Sequence, residues 1–305
     1  MQYLLSKSLS FLFENYQLIA YTTLAISFAV IAVLIIIDYL QYKKSSYFEI
    51  TKTPYIVLRG DMGKLGEYLT YKALKSFEKD GAKFLFNIYL PKENNDTTEI
   101  DILMICKKGL FVFESKNYSG WIFGNDTSKN WYQTLPNKKG GSRKEAFYNP
   151  IFQNRSHIES LKSFVNPDIP MYSVIVFSNR CTLKNIDLVH TDAYVVKRES
   201  VYTTVIKEYK NTSTDSLDKS EITNIYNALY IYTQTDEATK SAHISNIQNN
   251  LKHVNIQIRN YSNSETMKCP RCGGILVERI AKRGENIGEK FYGCSNYPKC
   301  RYTKK

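Results

Sequence analysis

The pattern of hydrophobic and polar positions begins with one long apolar run and then changes to shorter periods. No residue between Glu14 and Asp38 is charged, and most are Leu, Ile, Val, Ala or Phe. At about 1.5 Å per residue, a helix of this length crosses a hydrocarbon core about 30 Å thick. The run therefore predicts a transmembrane helix over about residues 17–40, inside an N-terminal membrane anchor over residues 1–44. A buried helix of a soluble core is the alternative, although such helices rarely lack a polar face over this length.

Charged residues on the two sides of the apolar run predict its orientation. The N-terminal flank has Lys7 and Glu14, whereas the C-terminal flank is more basic. Its basic residues are Lys43, Lys44, Lys52 and Arg59. Under the positive-inside rule this excess places the N-terminus outside and the rest of the chain in the cytoplasm. No small-residue cleavage site follows the run, which argues against a cleaved signal peptide. We expect a single-pass protein of the cell membrane.

Helical and strand periods alternate after the anchor. The stretch "RGDMGKLGEYLTYKALKSFEKDG" has apolar residues at helical spacing, and Gly81 closes the helix. Strands are predicted for "KFLFNIYLP", "GWIFG", "NWYQTL", "MYSVIVFS" and "DAYVVK", a helix for "NPIFQNRSHIESLKSFV", and a basic loop for "PNKKGGSRKE". This order predicts an α/β domain over residues 55–200. A helical extension and linker over residues 201–265 and a cysteine-rich module over residues 266–305 follow.

One predicted hairpin carries charged residues where a core hairpin would be apolar. The stretch "EIDILMICKKGLFVFESK" predicts two apolar strands around a Lys-Lys-Gly turn. Glu114 and Lys116 are two positions apart, so their side chains share one face of the second strand. A loop of two or four residues places Asp101 of the first strand on that face, whereas a three-residue loop sends it to the other. The sequence "KKGL" permits the even loop.

A divalent cation explains such a cluster economically. Two adjacent carboxylates repel each other at low dielectric unless a cation lies between them or one is protonated. Asp101 and Glu114 would hold Mg²⁺ or Mn²⁺, while Lys116 orients a water or offsets charge on a pentavalent phosphorane. This is the chemistry of phosphodiester hydrolysis. The alternative is a structural ion-pair cluster in which Lys116 only neutralises the two carboxylates.

Composition and charge narrow the class of partner. The hydrophobic content of 43% is ample for a packed core, so a disordered chain is excluded. The formal net charge of +12 favours polyanionic partners such as nucleic acid or anionic lipid. Four of the six cysteines form two close pairs near the C-terminus, a spacing typical of metal ligands rather than disulfides. We therefore expect a reducing compartment.

Three stretches together resemble a known nuclease family. "GKLGEYLTYKAL", "TEIDILMICKKGLFVFESKNYSGWIFG" and "FYNPIFQNRSHIESLKSFV" are similar to the nuclease-related domain, a branch of the PD-(D/E)xK nuclease superfamily that includes Holliday-junction resolvases and many restriction enzymes. The resemblance covers residues about 58–180 and implies a restriction-endonuclease-like mixed sheet flanked by helices. It implies that Asp101, Glu114 and Lys116 form the catalytic core, with Glu67 as an auxiliary carboxylate and Gln153 as a polar contributor.

The resemblance has one departure and one open alternative. Ser115 stands where the family more often has a branched apolar residue, and it faces away from the expected site. The superfamily also contains inactive members. The alternative to a nuclease is therefore a catalytically inactive, membrane-tethered module that binds nucleic acid or acts as a scaffold.

The C-terminal module predicts a zinc centre. Cys269 and Cys272 form one close pair, and Cys294 and Cys300 form the other. Four thiolates at this spacing make a closed tetrahedral Zn²⁺ site, and so short a module could not fold on its hydrophobic core alone. A catalytic zinc is not expected, because no coordination position stays open.

The same module resembles the zinc ribbons at the C-terminus of type IA DNA topoisomerases, including "GCSNYPKCRYT". That resemblance implies binding of single-stranded DNA, with basic residues for phosphates and exposed aromatic rings for stacking. The candidate contact residues are Arg279, Lys282, Arg283, Lys290, Phe291, Tyr292, Tyr297, Lys299, Arg301, Tyr302 and Lys304. A ribbon that docks a protein is the alternative. Topoisomerase activity is not expected, because the chain lacks the catalytic tyrosine domain.

The sequence thus predicts a membrane-anchored, metal-dependent deoxyribonuclease with Mg²⁺ or Mn²⁺ as catalytic and Zn²⁺ as structural cofactor. The zinc ribbon would deliver DNA to the nuclease domain. RNA remains open as a substrate, because a basic ribbon does not exclude it. Duplex cleavage in this superfamily usually takes two active sites, so a homodimer is an expected assembly alongside the contact with the lipid bilayer.

Overall fold

The computed structural model describes residues 2–92, 96–137, 141–211, 215–234, 268–274, 276–280, 289–296 and 298–304. Two compact units, Met1–Asp236 and Glu237–Lys305, make up the chain. The first unit is a mixed α/β structure that begins with a long apolar helix, and the second contains a cysteine cluster. The predicted α/β class is therefore confirmed.

Seven helices are described, all in the first unit. They are α1 (Gln2–Lys43), α2 (Ser46–Thr51), α3 (Tyr55–Gly60), α4 (Met62–Leu74), α5 (Pro150–Lys162), α6 (Arg198–Asn211) and α7 (Lys219–Tyr230). Short 3₁₀ turns follow α4 at Lys75–Asp80 and α7 at Ile231–Thr233. The predicted helical extension over residues 201–265 contains α7 and all but the first three residues of α6, while its residues 235–265 lie outside the described residues.

Two sheets form the strand layer of the first unit. The strands are β1 (Lys83–Pro91), β2 (Thr97–Cys106), β3 (Gly109–Lys116), β4 (Gly120–Asn125), β5 (Asn130–Pro136), β6 (Ser142–Tyr148), β7 (Met171–Phe177), β8 (Cys181–Asp187) and β9 (Tyr194–Lys197). The main sheet has the order β1-β2-β3-β7-β9, antiparallel from β1 to β3 and parallel from β3 to β9. The second sheet has the order β6-β5-β4-β8.

The middle of the main sheet is buried on both faces. Every residue of β3 before its last two is buried, in agreement with the near-continuous apolar run of a strand covered on both sides. Burial extends to the charged Glu114 and becomes partial at Ser115 and Lys116, so the carboxyl end of β3 lies at the margin of the core. Helices α4 and α5 both pack against β3.

The last turns of α1 belong to the core of the first unit. The rings of Tyr42 and Tyr47 are fully buried, and the Tyr42 hydroxyl donates to the Thr53 carbonyl at 2.6 Å. Asp38 forms salt bridges with Arg59 at 2.6 Å and with Lys72 at 3.0 Å. The core therefore begins before residue 55, where the sequence pattern placed the start of the domain.

Helix α1 also carries the predicted apolar span. Its large apolar side chains from Tyr16 to Leu40 are exposed. Over Tyr16–Lys43 the helix is long and apolar enough to cross a membrane by length and composition. The whole helix, Gln2–Lys43, is longer at both ends than the predicted range of 17–40.

The prediction of a basic loop over "PNKKGGSRKE" is wrong in its second half. Ser142–Tyr148 forms β6, which pairs antiparallel with β5 from Ser142 to Tyr148. The strand is an exposed edge rich in charge, so its own pattern lacks the apolar alternation of a half-buried strand. Pairing with β5 therefore decides its conformation.

The second unit is a small antiparallel sheet in its described part. It contains β10 (Leu276–Ile280), β11 (Lys290–Cys294) and β12 (Thr303–Lys304), in the order β10-β11-β12. Three of its cysteines and Leu276 form a small buried cluster, which is far too little to hold a module of this length on apolar burial alone.

Candidate active site and zinc centre

The hairpin of β2 and β3 has a two-residue turn. Cys106 pairs with Gly109, and this register places Asp101 opposite Glu114 one step beyond the pair Ile102–Phe113. The predicted even loop is therefore confirmed. Gly109 has φ of 120°, and a Cβ there would lie 2.2 Å from the Pro170 carbonyl oxygen. Only glycine fits this turn, because L side chains rarely adopt such a φ and the backbone of Pro170 leaves no room.

Glu114 and Lys116 form an ion pair at the end of β3. The Lys116 Nζ lies 2.5 Å from Glu114 Oε1, with the Glu114 side chain 1% exposed and the Lys116 side chain 17% exposed. Lys116 Nζ also donates to Gln153 Oε1 at 3.1 Å. The ammonium is thus fixed between one carboxylate and one amide, at the margin between core and solvent.

Asp101 completes the group on the neighbouring strand. Its Oδ2 accepts a hydrogen bond from the Ser115 backbone N–H at 2.8 Å, which fixes the carboxylate across the hairpin. Burial and the nearby Glu114 raise the pKa of Asp101 to about 8. Burial likewise raises the pKa of Glu114, against the opposing effect of Lys116. Two carboxyls that both resist ionisation are the electrostatic condition under which a divalent cation binds favourably.

Lys116 keeps its proton in this group. Burial alone would lower the pKa of the Lys116 ammonium, but Glu114 and Asp101 beside it raise the pKa above its usual value. Lys116 is therefore a cation and a hydrogen-bond donor at neutral pH. A protonated amine cannot act as a general base.

Glu67 of α4 lies near enough to Asp101 to interact with it electrostatically. Burial and the charge of Asp101 raise the pKa of Glu67 well above its usual value. Gly66 explains the close approach of the helix, since a Cβ there would lie 2.8 Å from Asn117 Cβ just beyond β3. Gly66 therefore allows α4 to approach the end of β3 closely, and the next residue, Glu67, supplies a carboxylate there.

Two side chains that the sequence pattern did not identify contact these carboxylates. The Tyr47 hydroxyl, from α2, donates to Glu67 Oε2 at 2.9 Å. His157 Nδ1, from α5, lies 3.5 Å from Glu114 Oε2. His157 is four residues after Gln153, so helical spacing could have placed both on one face. Tyr47 had no such signal, because it lies far from the hairpin in the sequence.

Helix α5 is positioned on β3 by buried amides. Asn149 caps the helix by accepting from the Ile151 N–H at 2.9 Å, and Pro150 occupies the first helical turn. The buried Asn154 amide donates to the Val112 carbonyl of β3 at 2.9 Å. These contacts fix the side of α5 from which Gln153 points to Lys116.

The donor set fits a hard divalent cation. Asp101, Glu114 and Glu67 supply only carboxylate oxygens, the ligands that Mg²⁺ and Mn²⁺ prefer. Among the described residues these groups do not converge to within 4.8 Å as the four cysteines do. Mg²⁺ needs only one or two protein carboxylates and keeps several waters, so the hairpin pair is sufficient.

The four predicted zinc ligands come together in the second unit. The ligand atoms of Cys269, Cys272, Cys294 and Cys300 all lie within 4.8 Å of one another. Backbone turns hold them, because the Cys269 N–H donates to the Gly274 carbonyl at 2.6 Å and the Cys300 N–H donates to the Asn296 carbonyl at 3.0 Å. Four thiolates at this separation support a closed structural Zn²⁺ site.

The structure modifies the expected nucleic-acid contacts of the ribbon. Arg279, Lys290, Lys299, Arg301 and Lys304 are exposed. The predicted exposure of the rings Phe291, Tyr292 and Tyr302 is wrong, because all are partly buried, and Tyr292 and Tyr302 pack against the cysteine cluster. In so small a unit the aromatic rings must also serve as core. Lys282, Arg283 and Tyr297 lie outside the described residues.

Comparisons with known proteins agree with the two units. Residues 62–178 match the family model of the nuclease-related domain, and residues 266–305 match that of the topoisomerase DNA-binding C4 zinc finger. An uncharacterized protein of Bacillus anthracis is 28% identical over 187 residues, which is 61% of this chain and 84% of that protein. No solved structure matches the chain significantly.

The similarity to topoisomerases is confined to the zinc ribbon. DNA topoisomerase 1 of Pyrococcus furiosus is 56% identical over 36 residues, which is 12% of this chain and 3% of the topoisomerase. DNA topoisomerase 1 of Archaeoglobus fulgidus has the same identity over 36 residues, 5% of its length. The chain therefore carries a nuclease-related domain and a topoisomerase-type C4 zinc ribbon.

Proposed function

We propose that this protein is a membrane-anchored, divalent-metal-dependent endonuclease that hydrolyses DNA phosphodiesters. The observation that carries the proposal is the group of the buried Glu114 with the partly buried Asp101 and Lys116 at the carboxyl end of β3. Its position inside a nuclease-related domain supports phosphodiester chemistry over a purely structural ion pair. Asp101 and Glu114 would hold Mg²⁺ or Mn²⁺, which when bound supplies Lewis-acid activation of a phosphate or a water.

Lys116 acts as an electrostatic group in this proposal. Because its pKa is raised, Lys116 is positively charged and can stabilise negative charge that develops on the phosphate oxygens. Gln153 accepts a hydrogen bond from Nζ and so limits the directions in which the ammonium can point. A preorganised donor of this kind needs no reorganisation during the reaction.

Glu67 and Tyr47 form a supporting pair. Glu67 is the auxiliary carboxylate, and the Tyr47 hydroxyl orients it through the 2.9 Å hydrogen bond. Tyr47 donates to the ionised carboxylate and thereby lowers the pKa of Glu67 against the larger effect of burial. Tyr47 is a positioning residue, since it acts through Glu67.

The zinc ribbon would give the same chain a separate DNA-binding module. Its exposed basic residues include Lys290 and Arg301, which suit phosphate contacts to single-stranded DNA. The zinc ion itself would be structural, because four thiolates fill a tetrahedral site.

Anchoring in the cell membrane by α1 is the third part of the proposal. Its exposed apolar residues, followed by a basic flank, support a single span with the N-terminus outside and the folded units in the cytoplasm. Helix α3 adjoins the last turns of α1, since the Tyr55 hydroxyl donates to Asp38 at 2.8 Å. Ile56 of α3 is 81% exposed and would rest at the membrane surface.

The test uses the full chain in lipid nanodiscs, because Asp38 and Tyr42 tie α1 to the core. Zinc-loaded protein is incubated with linear, circular, single-stranded and branched DNA and with RNA, in Mg²⁺, Mn²⁺ or chelator. Variants Glu114→Gln and Lys116→Ala are compared with the matched controls Glu159→Gln and Lys162→Ala, which alter an exposed ion pair on α5.

We expect metal-dependent cleavage that is lost in the two site variants and retained in the two controls. Binding of DNA without cleavage, equal in all proteins, would refute the enzymatic proposal and leave a membrane-tethered nucleic-acid-binding protein. Chemical cross-linking of the same nanodisc samples tests the homodimer, which predicts a two-chain product with duplex substrate.

A further inference from the structure

The outer face of the second sheet exposes large aromatic rings. Strands β4 and β5 alternate, so that Ile122 and Trp131 are fully buried, whereas Trp121 is 52% exposed and Tyr132 is 37% exposed. Trp121 pairs with Thr134, and Phe123 pairs with Tyr132. Residues directly opposite share one face of a sheet, so the rings of Trp121, Phe123 and Tyr132 lie on the same face.

Lysine side chains accompany these rings. The Lys144 Nζ, from β6, lies 3.9 Å from the centroid of the Tyr132 ring. The Lys184 Nζ, from β8, lies 5.6 Å from the centroid of the Trp121 ring. We call the group of Trp121, Phe123, Tyr132, Lys144 and Lys184 the Trp121 platform.

Of the two acidic residues in these strands, one lies on the opposite face and one lies at the edge of the platform's face. Glu145 pairs with the buried Gln133 and therefore alternates to the inner face. Asp187 pairs with Asn125 at the last position of β4, so it lies on the platform's face but beyond Phe123, at the end farthest from Trp121. The platform thus combines ring faces with positive charge, which complements a chain of phosphates that carries unstacked bases.

The platform also has a short and fixed connection to the candidate active site. Trp121 lies five positions after Lys116, so their Cα atoms lie within about 18 Å of each other. Three hydrogen bonds hold the connecting segment. Its carbonyls accept from the Ser178 hydroxyl, the Arg180 guanidinium and the Gln133 amide, at distances of 2.6 to 2.7 Å.

We propose that the Trp121 platform binds single-stranded nucleic acid, with bases stacked on Trp121 and Tyr132 and phosphates contacted by Lys144 and Lys184. Its role in presenting a strand to Asp101 rests on the proposed nuclease function, whereas binding itself requires no cleavage. The platform would be a second strand-binding surface, separate in sequence from the zinc ribbon.

Tryptophan emission tests the platform directly in the full chain. The protein has two tryptophans, Trp121 and the buried Trp131, and the zinc ribbon contains none of its own. Zinc-loaded protein in nanodiscs, free of Mg²⁺ and Mn²⁺, is titrated with oligo(dT), oligo(rU) and inorganic polyphosphate. Stacking predicts quenching by the two oligonucleotides and none by polyphosphate. The oligonucleotide that binds with the lower dissociation constant identifies DNA or RNA as the preferred ligand.

Three variants distinguish the contributions of base stacking and lysine charge to binding from a general structural effect. Trp121→Phe leaves only Trp131 and abolishes the quenching. Combined Lys144→Ala and Lys184→Ala moves the midpoint of quenching to higher concentration and lowers the slope of log K against log salt by about 1.4. Tyr202→Ala, at an aromatic residue that is 41% exposed on α6, is the matched control and leaves the midpoint unchanged.

Failure of the platform and failure of the nuclease give different results. Quenching without any metal-dependent cleavage supports the platform and refutes the enzyme. Three results would overturn the platform. They are cleavage without quenching, quenching by polyphosphate equal to that by the oligonucleotides, and a quenching midpoint that is the same in wild type and in the double lysine variant.

Discussion

Replacing Asp101 by Asn should stabilise the metal-free protein. In the folded chain the pKa of Asp101 is raised from 3.8 to about 8. Folding therefore favours the protonated carboxyl, and this contribution to stability is lost as the pH rises from about 4 through 8. At 1.36 kcal/mol per pKa unit, the full loss at pH 8 is on the order of 5 kcal/mol. The Asp101 side chain is partly accessible to water, which screens its charge, so we expect Asp101→Asn to add ~2–3 kcal/mol at pH 8.

The neutral amide should also remove the response to metal. The amide oxygen in the Asp101→Asn variant would still accept from the Ser115 N–H, so the hairpin keeps its register. Wild-type protein should gain about 2.7 kcal/mol when Mg²⁺ or Mn²⁺ is at a hundred times its dissociation constant. The variant should gain little, because a carboxylate ligand is missing. The stability difference between the two proteins should therefore shrink when metal is added.

Urea unfolding followed by tryptophan emission measures both effects. Trp121 and Trp131 both belong to the first unit, so the signal reports that unit even when a chelator removes zinc. Asp187→Asn, at an exposed position of β8, is the matched control. The reasoning is refuted if wild-type protein in chelator at pH 8 is as stable as Asp101→Asn, or if their difference fails to grow between pH 5 and pH 8. Either result would favour a structural ion pair with Lys116.

Three further predictions concern the supports of the two units. Gly124→Ala should destabilise the first unit by roughly 1–3 kcal/mol in urea unfolding, because a Cβ there would lie 2.1 Å from the buried Trp131 ring. An unchanged urea midpoint would contradict this prediction. Tyr47→Phe should move the pH of half-maximal cleavage upward by about one unit, because loss of the hydrogen bond raises the pKa of Glu67. A lower cleavage rate with an unchanged pH profile would indicate that Tyr47 has only a structural role. Cys294→Ser should abolish zinc-dependent DNA binding by the ribbon without changing the tryptophan-detected midpoint of the first unit, whereas a shift in that midpoint would contradict independent units.

The hairpin could be predicted from the sequence because strand geometry is periodic. Once the loop between β2 and β3 has two residues, alternation places Asp101 and Glu114 on one face without further information. The zinc centre could also be predicted, because its ligands are set by short-range spacing in the sequence. Four thiolates in two close pairs need only two turns to meet, which is why the cluster appears where the sequence placed it.

The remaining parts of the site depend on packing between distant segments. Tyr47 reaches Glu67 because α2 follows the last turn of α1 into the core, and no period in the sequence indicates that approach. Strand β6 forms on β5 although three of its seven residues are charged and all but one are exposed. The ribbon rings were expected to be exposed, but a unit with so few apolar residues uses Tyr292 and Tyr302 to cover its cysteines.

The central claim is that Asp101, Glu114 and Lys116 form a metal-dependent phosphodiesterase site. The most direct measurement is the single-turnover rate of DNA cleavage by zinc-loaded full-chain protein as a function of Mg²⁺ concentration, for wild type and Glu114→Gln. We expect a rate that rises and saturates with Mg²⁺ in wild type and a loss of at least about a hundredfold in Glu114→Gln, in line with removal of a group that acts on the transition state. Cleavage that is independent of Mg²⁺, or equal in the two proteins, would contradict the claim.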